Sequence, residues 1–172
     1  DDFAVIDCAC GTLNLTKDYN YKELYCSTLE MEELEVSKEY NTNACKFIYN
    51  FLEKDDDNNK LDVKLIDRLK KGGKIMFFIN PPYKSVRGNM EQTYMGLEME
   101  SEELGDSSKQ LITQFLYKII KIKELYKLED IKICLISDIG FMRRKGFKKF
   151  REKFLNEFSR SEERRVGEEC PR

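Results

Sequence analysis

Five short apolar runs punctuate the chain, at residues 3–6, 23–29, 44–49, 74–79 and 131–136. Each has strand length and a bias to β-branched or aromatic residues, so each is predicted as a buried strand. Between the third and fourth runs, Leu61, Leu65, Ile66 and Leu69 recur at helical spacing, and Gly72-Gly73 end that helix. Between the fourth and fifth, Leu111, Ile112, Phe115, Leu116, Ile119, Ile120 and Ile122 give a second helix a broad apolar face, with Asp106-Ser107-Ser108 expected as its cap. Residues 54–60 are too polar for a core and read as a loop. Residues 84–108, rich in acids and glycine, predict a long connection placed to cap a pocket. Strands alternating with helices predict an α/β domain, three-layered and Rossmann-like, with a mainly parallel sheet.

A chain of 172 residues is one domain by length and long enough to bury a sizeable core. Its formal net charge of −2 argues neither for nor against a nucleic-acid partner. The one clearly basic stretch, residues 141–151, mixes cations with aromatics; it suits phosphates, and equally a solvated helix with Phe147, Phe150 and Phe154 buried. Six cysteines without paired CxxC units predict a reducing, cytoplasmic chain with neither disulfide framework nor metal site. No apolar stretch is long enough to span a membrane. The absence of histidine excludes histidine-based acid–base or nucleophilic catalysis within these residues.

The fourth apolar run ends in Asn80-Pro81-Pro82-Tyr83. Two prolines cannot donate to a ladder, so the strand stops there in a rigid, extended tip. Carboxyl ends of strands are where open α/β sheets place ligands. An amide and an aromatic ring at one tip suit an exocyclic amine on a flat base. The first run leads into Asp7-Cys8-Ala9-Cys10-Gly11-Thr12-Leu13-Asn14, small residues and a glycine turn of the kind that lets a backbone approach a ligand. Glu30 follows the second run, 19 positions after Gly11, the spacing of a ribose-binding acid; Glu32, Glu33 and Glu35 compete for that role, and all four also suit an acidic helix start. The third run leads to Asn50-Phe51.

The quartet Asn80-Pro81-Pro82-Tyr83 resembles motif IV of the amino-methyltransferases, in the form typical of adenine-N6 DNA methyltransferases. Asp7, Ala9, Cys10, Gly11, Thr12 and Asn14 match that family's motif I, Asp-Pro-Ala-Cys-Gly-Thr/Ser-Gly-Asn; Cys8 replaces its proline and Leu13 its second glycine. The resemblance implies a class I methyltransferase fold and S-adenosyl-L-methionine as cofactor, bound by those residues with Glu30 on the ribose, Asn50 on the adenine amine and Phe51 against the adenine ring. It implies DNA as partner, with the target adenine flipped out, Asn80 and Pro81 accepting from its amine and Tyr83 stacking on its face. The same quartet serves N4-cytosine, RNA guanine-N2 and glutamine-amide methyltransferases, and a degenerate fold of this type would bind a nucleotide or a partner instead. The catalytic domain is expected over residues 1–159, truncated at both ends, with a DNA-recognition domain beyond it. Residues 160–172 look like the in-frame translation of a sequencing adapter, departing from it at Glu168.

Overall fold

A computed structural model describes residues 3–81, 92–137 and 140–158 of the chain. Pro82, Tyr83 and the whole tail 160–172 lie outside the described residues. Five strands form a single sheet: β1 (Ala4–Asp7), β2 (Leu24–Thr28), β3 (Cys45–Ile48), β4 (Ile75–Ile79) and β5 (Ile131–Leu135). Their order is β3-β2-β1-β4-β5, and every pairing is parallel. Ile6 of β1 sits opposite Tyr25 of β2 on one side and Phe77 of β4 on the other. β1 and β2 are buried along their whole length, as inner strands covered on both faces must be. The fold is a Rossmann-like α/β sheet flanked by helices.

The flanking helices are α1 (Met31–Val36), α2 (Val63–Lys71), α3 (Tyr94–Ser101), α4 (Leu111–Tyr126), α5 (Gly140–Arg143) and α6 (Lys148–Glu157). The larger core cluster joins Ala4 and Ile6 of β1 and Ile75, Phe77 and Ile79 of β4 to Leu65 and Leu69 of α2, Phe115, Leu116 and Ile119 of α4, and Phe150 of α6. Val5, Leu24 and Cys26 turn the other way, into a smaller cluster closed by Cys10 and Leu13. Asp62 caps α2, accepting from the Lys64 amide at 2.8 Å, and Gly72, at φ 67°, ends the helix.

The structure departs from the sequence expectation in the connection after β4. Residues 84–108 were expected to be one polar loop, yet they contain α3 and a 3-10 turn at Gly105–Lys109. The signal was Met95 and Met99, four residues apart and both buried, obscured by the acids between and beyond them. Thr93 caps α3, accepting from Gly96 N at 3.0 Å. Gly96 lies so close to α4 that a Cβ there would stand 3.0 Å from Gln114 Nε2. Asp106-Ser107-Ser108 does not cap α4: these residues form the 3-10 turn, and Gln110 takes the N-cap position with no side-chain bond. The two serine hydroxyls turn back instead onto the carbonyls of Leu104 and Gly105. Among the described residues, no helix is long and apolar enough to cross a membrane.

Candidate functional site

In the order β3-β2-β1-β4-β5 the chain reverses its direction of winding between β1 and β4. Sheets of this kind bind ligands outside the carboxyl ends of the strands at that switch. The carboxyl end of β1 is Asp7, followed by the turn from Cys8 to Leu13; the carboxyl end of β4 leads into Asn80 and Pro81. The pairing of β1 with β4 therefore brings the Asp7–Leu13 turn and the Asn80-Pro81 tip to one edge.

The turn is stitched to β2 by Cys10 N, which donates to Ser27 O at 3.0 Å, and closed by Leu13 N, which donates to Cys10 O at 2.8 Å. Gly11 and Leu13 both have left-handed backbones, at φ 48° and 63°. Leu13 thus adopts a conformation that favours glycine, a strain of about 1–2 kcal/mol. What holds it there is burial: Leu13 is fully enclosed in the smaller cluster. Leu13→Gly would relieve the strain but empty a site whose loss costs about 2–5 kcal/mol. The variant is expected to be less stable by about 1–3 kcal/mol, read from the urea midpoint. Equal or greater stability would mean that strain, not packing, dominates this turn.

Asp7 is 1% exposed. Its Oδ1 accepts from Ala9 N at 3.3 Å, while Oδ2 is buried with no hydrogen-bond partner among the described residues. Burial pushes the carboxyl up from 3.8 to about 7, against the weaker opposing pull of the Ala9 amide. Cys8, Cys26 and Tyr21 all feel its charge, and none of them is a cation. Burial lifts the Cys8 thiol; a hydrogen bond with Cys10, reinforced by burial, lifts that of Cys26. Neither is a thiolate near neutral pH, so neither is poised as a nucleophile.

Of the four candidate acids after β2, Glu33 is the one brought to the glycine turn. Its Oε1 lies 3.6 Å from where a Cβ on Gly11 would stand, and its other oxygen accepts from the Thr28 hydroxyl. Glu30 is exposed at the tip of β2, in the N-cap position of α1, and makes no capping bond. Thr12 and Ala9 are half-buried and Asn14 is exposed.

After β3, the Asn50 side chain folds onto its own backbone, Oδ1 accepting from Leu52 N at 3.1 Å. Asn59, in the polar loop 54–60, clamps this corner: Oδ1 accepts from Asn50 N at 2.8 Å, and Nδ2 donates to the carbonyls of Asn50 and Lys54, each at 3.0 Å. Its neighbour Asp55 receives the Tyr49 hydroxyl and pairs with Lys118 at 3.1 Å, tying the loop to α4. Phe51 points into the core, its ring stacked on Phe115 with centroids 5.4 Å apart. Asn80 is exposed and Pro81 buried.

A separate cavity of about 170 Å³ opens at the amino-terminal edge of β2 and β3, between Lys22, Glu23, Tyr25, Asn43, Cys45 and Lys64. Its polar groups are engaged locally: Glu23 pairs with Arg68 at 2.9 Å, and the Cys45 thiol donates to Asp62 at 3.3 Å. Among the described residues, no group of three or more ligating side chains is arranged for a metal ion. Fold and site define an α/β chain in which the turn after β1 and the tip of β4 meet at the switch point of a parallel sheet. No protein-family model matches the sequence. No curated protein matches it either.

Proposed function

We propose that the chain is an S-adenosyl-L-methionine-dependent methyltransferase that acts on the exocyclic N6 amine of adenine in DNA. The observation that carries the reading is the meeting, at one switch-point edge, of the Asp7–Leu13 turn on β1 and the Asn80-Pro81 tip on β4. Two motifs separated by most of the sheet's sequence become neighbours only through the parallel pairing of their strands. The turn suits the cofactor in two respects: a left-handed glycine at Gly11, the kind of backbone that can approach a ligand closely, and a buried oxygen of Asp7 without a hydrogen-bond partner among the described residues, complementary to an ammonium group.

When bound, the cofactor supplies an electrophilic methyl group on a sulfonium. Asp7 and the turn hold its amino-acid end, and Glu30, exposed at the tip of β2, takes the ribose hydroxyls. The Asn80 side-chain oxygen and the Pro81 carbonyl accept the two hydrogens of the target amine. This draws the nitrogen toward sp3 geometry and frees its lone pair for attack. Tyr83, assigned by the motif alone, stacks on the base. Positioning and fixed dipoles supply the acceleration, so no strong base is required. A paired adenine must leave its stack to reach this edge, and an unpaired one need not.

The test is transfer of labelled methyl to a single-stranded, adenine-containing oligonucleotide, beside calorimetric titration with S-adenosyl-L-methionine. Asn80→Ala is expected to keep cofactor affinity within about twofold and to lose transfer by about 100-fold or more, as when one fixed group facing developing charge is removed. Parental transfer rates would remove Asn80 from the chemistry. No cofactor binding by the parental chain would overturn the reading.

A further inference from the structure

The basic stretch beyond β5 divides into two groups. Lys148, Lys149 and Lys153 are neutralised by acids of the fold: Lys148 lies 3.8 Å from Glu152, Lys149 3.2 Å from Glu103, and Lys153 3.2 Å from Glu102. Arg143, Arg144 and Lys145 are exposed and, among the described residues, form no ion pair. Asp106, on the packed 3-10 turn, sits against the backbone of Gly146. It makes no ion pair with Lys145.

The backbone that carries these three cations is anchored to the fold. Phe141 and Phe147, both buried, anchor the segment on either side. Arg151 closes it from beneath, donating from Nη1 to the carbonyls of Phe141 at 3.3 Å and Arg144 at 3.1 Å. At the start of the segment, Ile136 N donates to Ile79 O at 3.0 Å, tying the end of β5 to the residue before Asn80. Arg143 lies seven positions beyond Ile136, a reach of at most about 25 Å, shortened by the helical turn of α5. At about 3.4 Å of axis per phosphate, that distance covers the phosphates flanking a base held at the Asn80-Pro81 tip.

We propose that Arg143, Arg144 and Lys145 form the contact that grips the nucleic-acid backbone beside the target base. The inference rests on the nucleic-acid reading above and adds to it the residues that hold the strand. Arginine suits the role because its planar fork meets phosphate oxygens in pairs. The contacts carry register and affinity and no base specificity.

The test compares R143Q/R144Q/K145Q with the control K148Q/K149Q/K153Q, which removes the same charge from the neutralised group. A labelled single-stranded 20-mer is titrated by fluorescence anisotropy between about 50 and 300 mM NaCl, the range over which phosphate contacts dominate salt dependence. The first variant is expected to bind at least about tenfold more weakly at the low-salt end, with the slope of log K against log salt shallower by about 2–3. The single R144Q is expected to show about one third of the slope change. The control is expected to stay close to the parental protein. The thermal midpoint of the first variant should match that of the parental protein, since its three side chains are exposed. The control's is expected to fall, since Lys153 is half-buried against Glu102 and Tyr117, and its binding is compared at a temperature where it is folded. Unchanged affinity and slope in the first variant, or an equal loss in the control, would overturn the proposal. If the parental chain binds S-adenosyl-L-methionine but no oligonucleotide, the patch and the nucleic-acid substrate both fail while methyl transfer to another amine stands.

Discussion

Asp7→Asn is expected to stabilise the protein above about pH 7.5 and to destabilise it near pH 4. The carboxyl titrates near 3.8 when unfolded and near 7 in the fold, where burial disfavours its charge. Its folded value is raised, so the neutral acid's contribution is fully present below about pH 4 and is lost as pH rises through 7. The difference amounts to about 4 kcal/mol once both forms are ionised. An asparagine carries no charge to desolvate, although its amide inherits the missing partner at Oδ2, which costs about 1–3 kcal/mol. The sum favours the variant above pH 7.5 and the parental protein at low pH. Urea unfolding of both proteins from pH 4.5 to 8.5 checks this. Groups that do not feel the charge of Asp7 contribute alike to the two curves, and those that do, Cys8, Cys26 and Tyr21, are all raised in the fold, so the difference below pH 8 reports mainly on Asp7. Parallel curves would show that Oδ2 is solvated or paired in solution. An added ammonium-bearing ligand should narrow the gap at high pH by stabilising the ionised parental carboxylate.

Phe51→Ala is expected to lower stability by about 3–5 kcal/mol, as for a buried aromatic. Phe51 is 3% exposed, stacked on Phe115 and in edge contact with Tyr49 at 6.2 Å. In a chain of this size that loss lowers the thermal midpoint by roughly 6–20 °C. The family resemblance gives the same ring a place against the cofactor's adenine, and the two roles separate experimentally. A core residue lowers the midpoint with or without cofactor. A ligand platform lowers affinity for S-adenosyl-L-methionine and leaves the melt of the cofactor-free protein in place. The second pattern would overturn the core assignment. Phe51→Leu, which keeps most of the volume, should recover much of the stability.

The strands were legible in the sequence because each is a compact apolar run bounded by turn formers, and α4 because its apolar face repeats over four turns. The helix α3 was not, since its inward face rests on two methionines among acids and a glycine, and only contact with Gln114 and Ser108 shows why Gly96 is there. The Asp106–Ser108 cap failed for a related reason. Serine hydroxyls satisfy local carbonyls in a 3-10 turn as readily as they cap a helix, and neighbouring packing decides between the two.

For the candidate site, the sequence alone determined the kinds of group available: a proline-stopped strand with an amide at its tip, a glycine turn after β1, acids after β2, and no histidine. Those are local properties, set by residue chemistry and short-range spacing. Only the tertiary structure decided that β1 lies beside β4, which places the two motifs at one edge. Only it distinguished Glu33, brought to Gly11, from Glu30, left exposed, and sent Phe51 inward. Among the described residues it left one oxygen of Asp7 without a hydrogen-bond partner and divided a uniform-looking basic stretch into cations that form ion pairs and cations that form none. Each of these depends on which distant residue arrives within a few ångströms, and that follows from strand order and burial rather than from spacing along the chain.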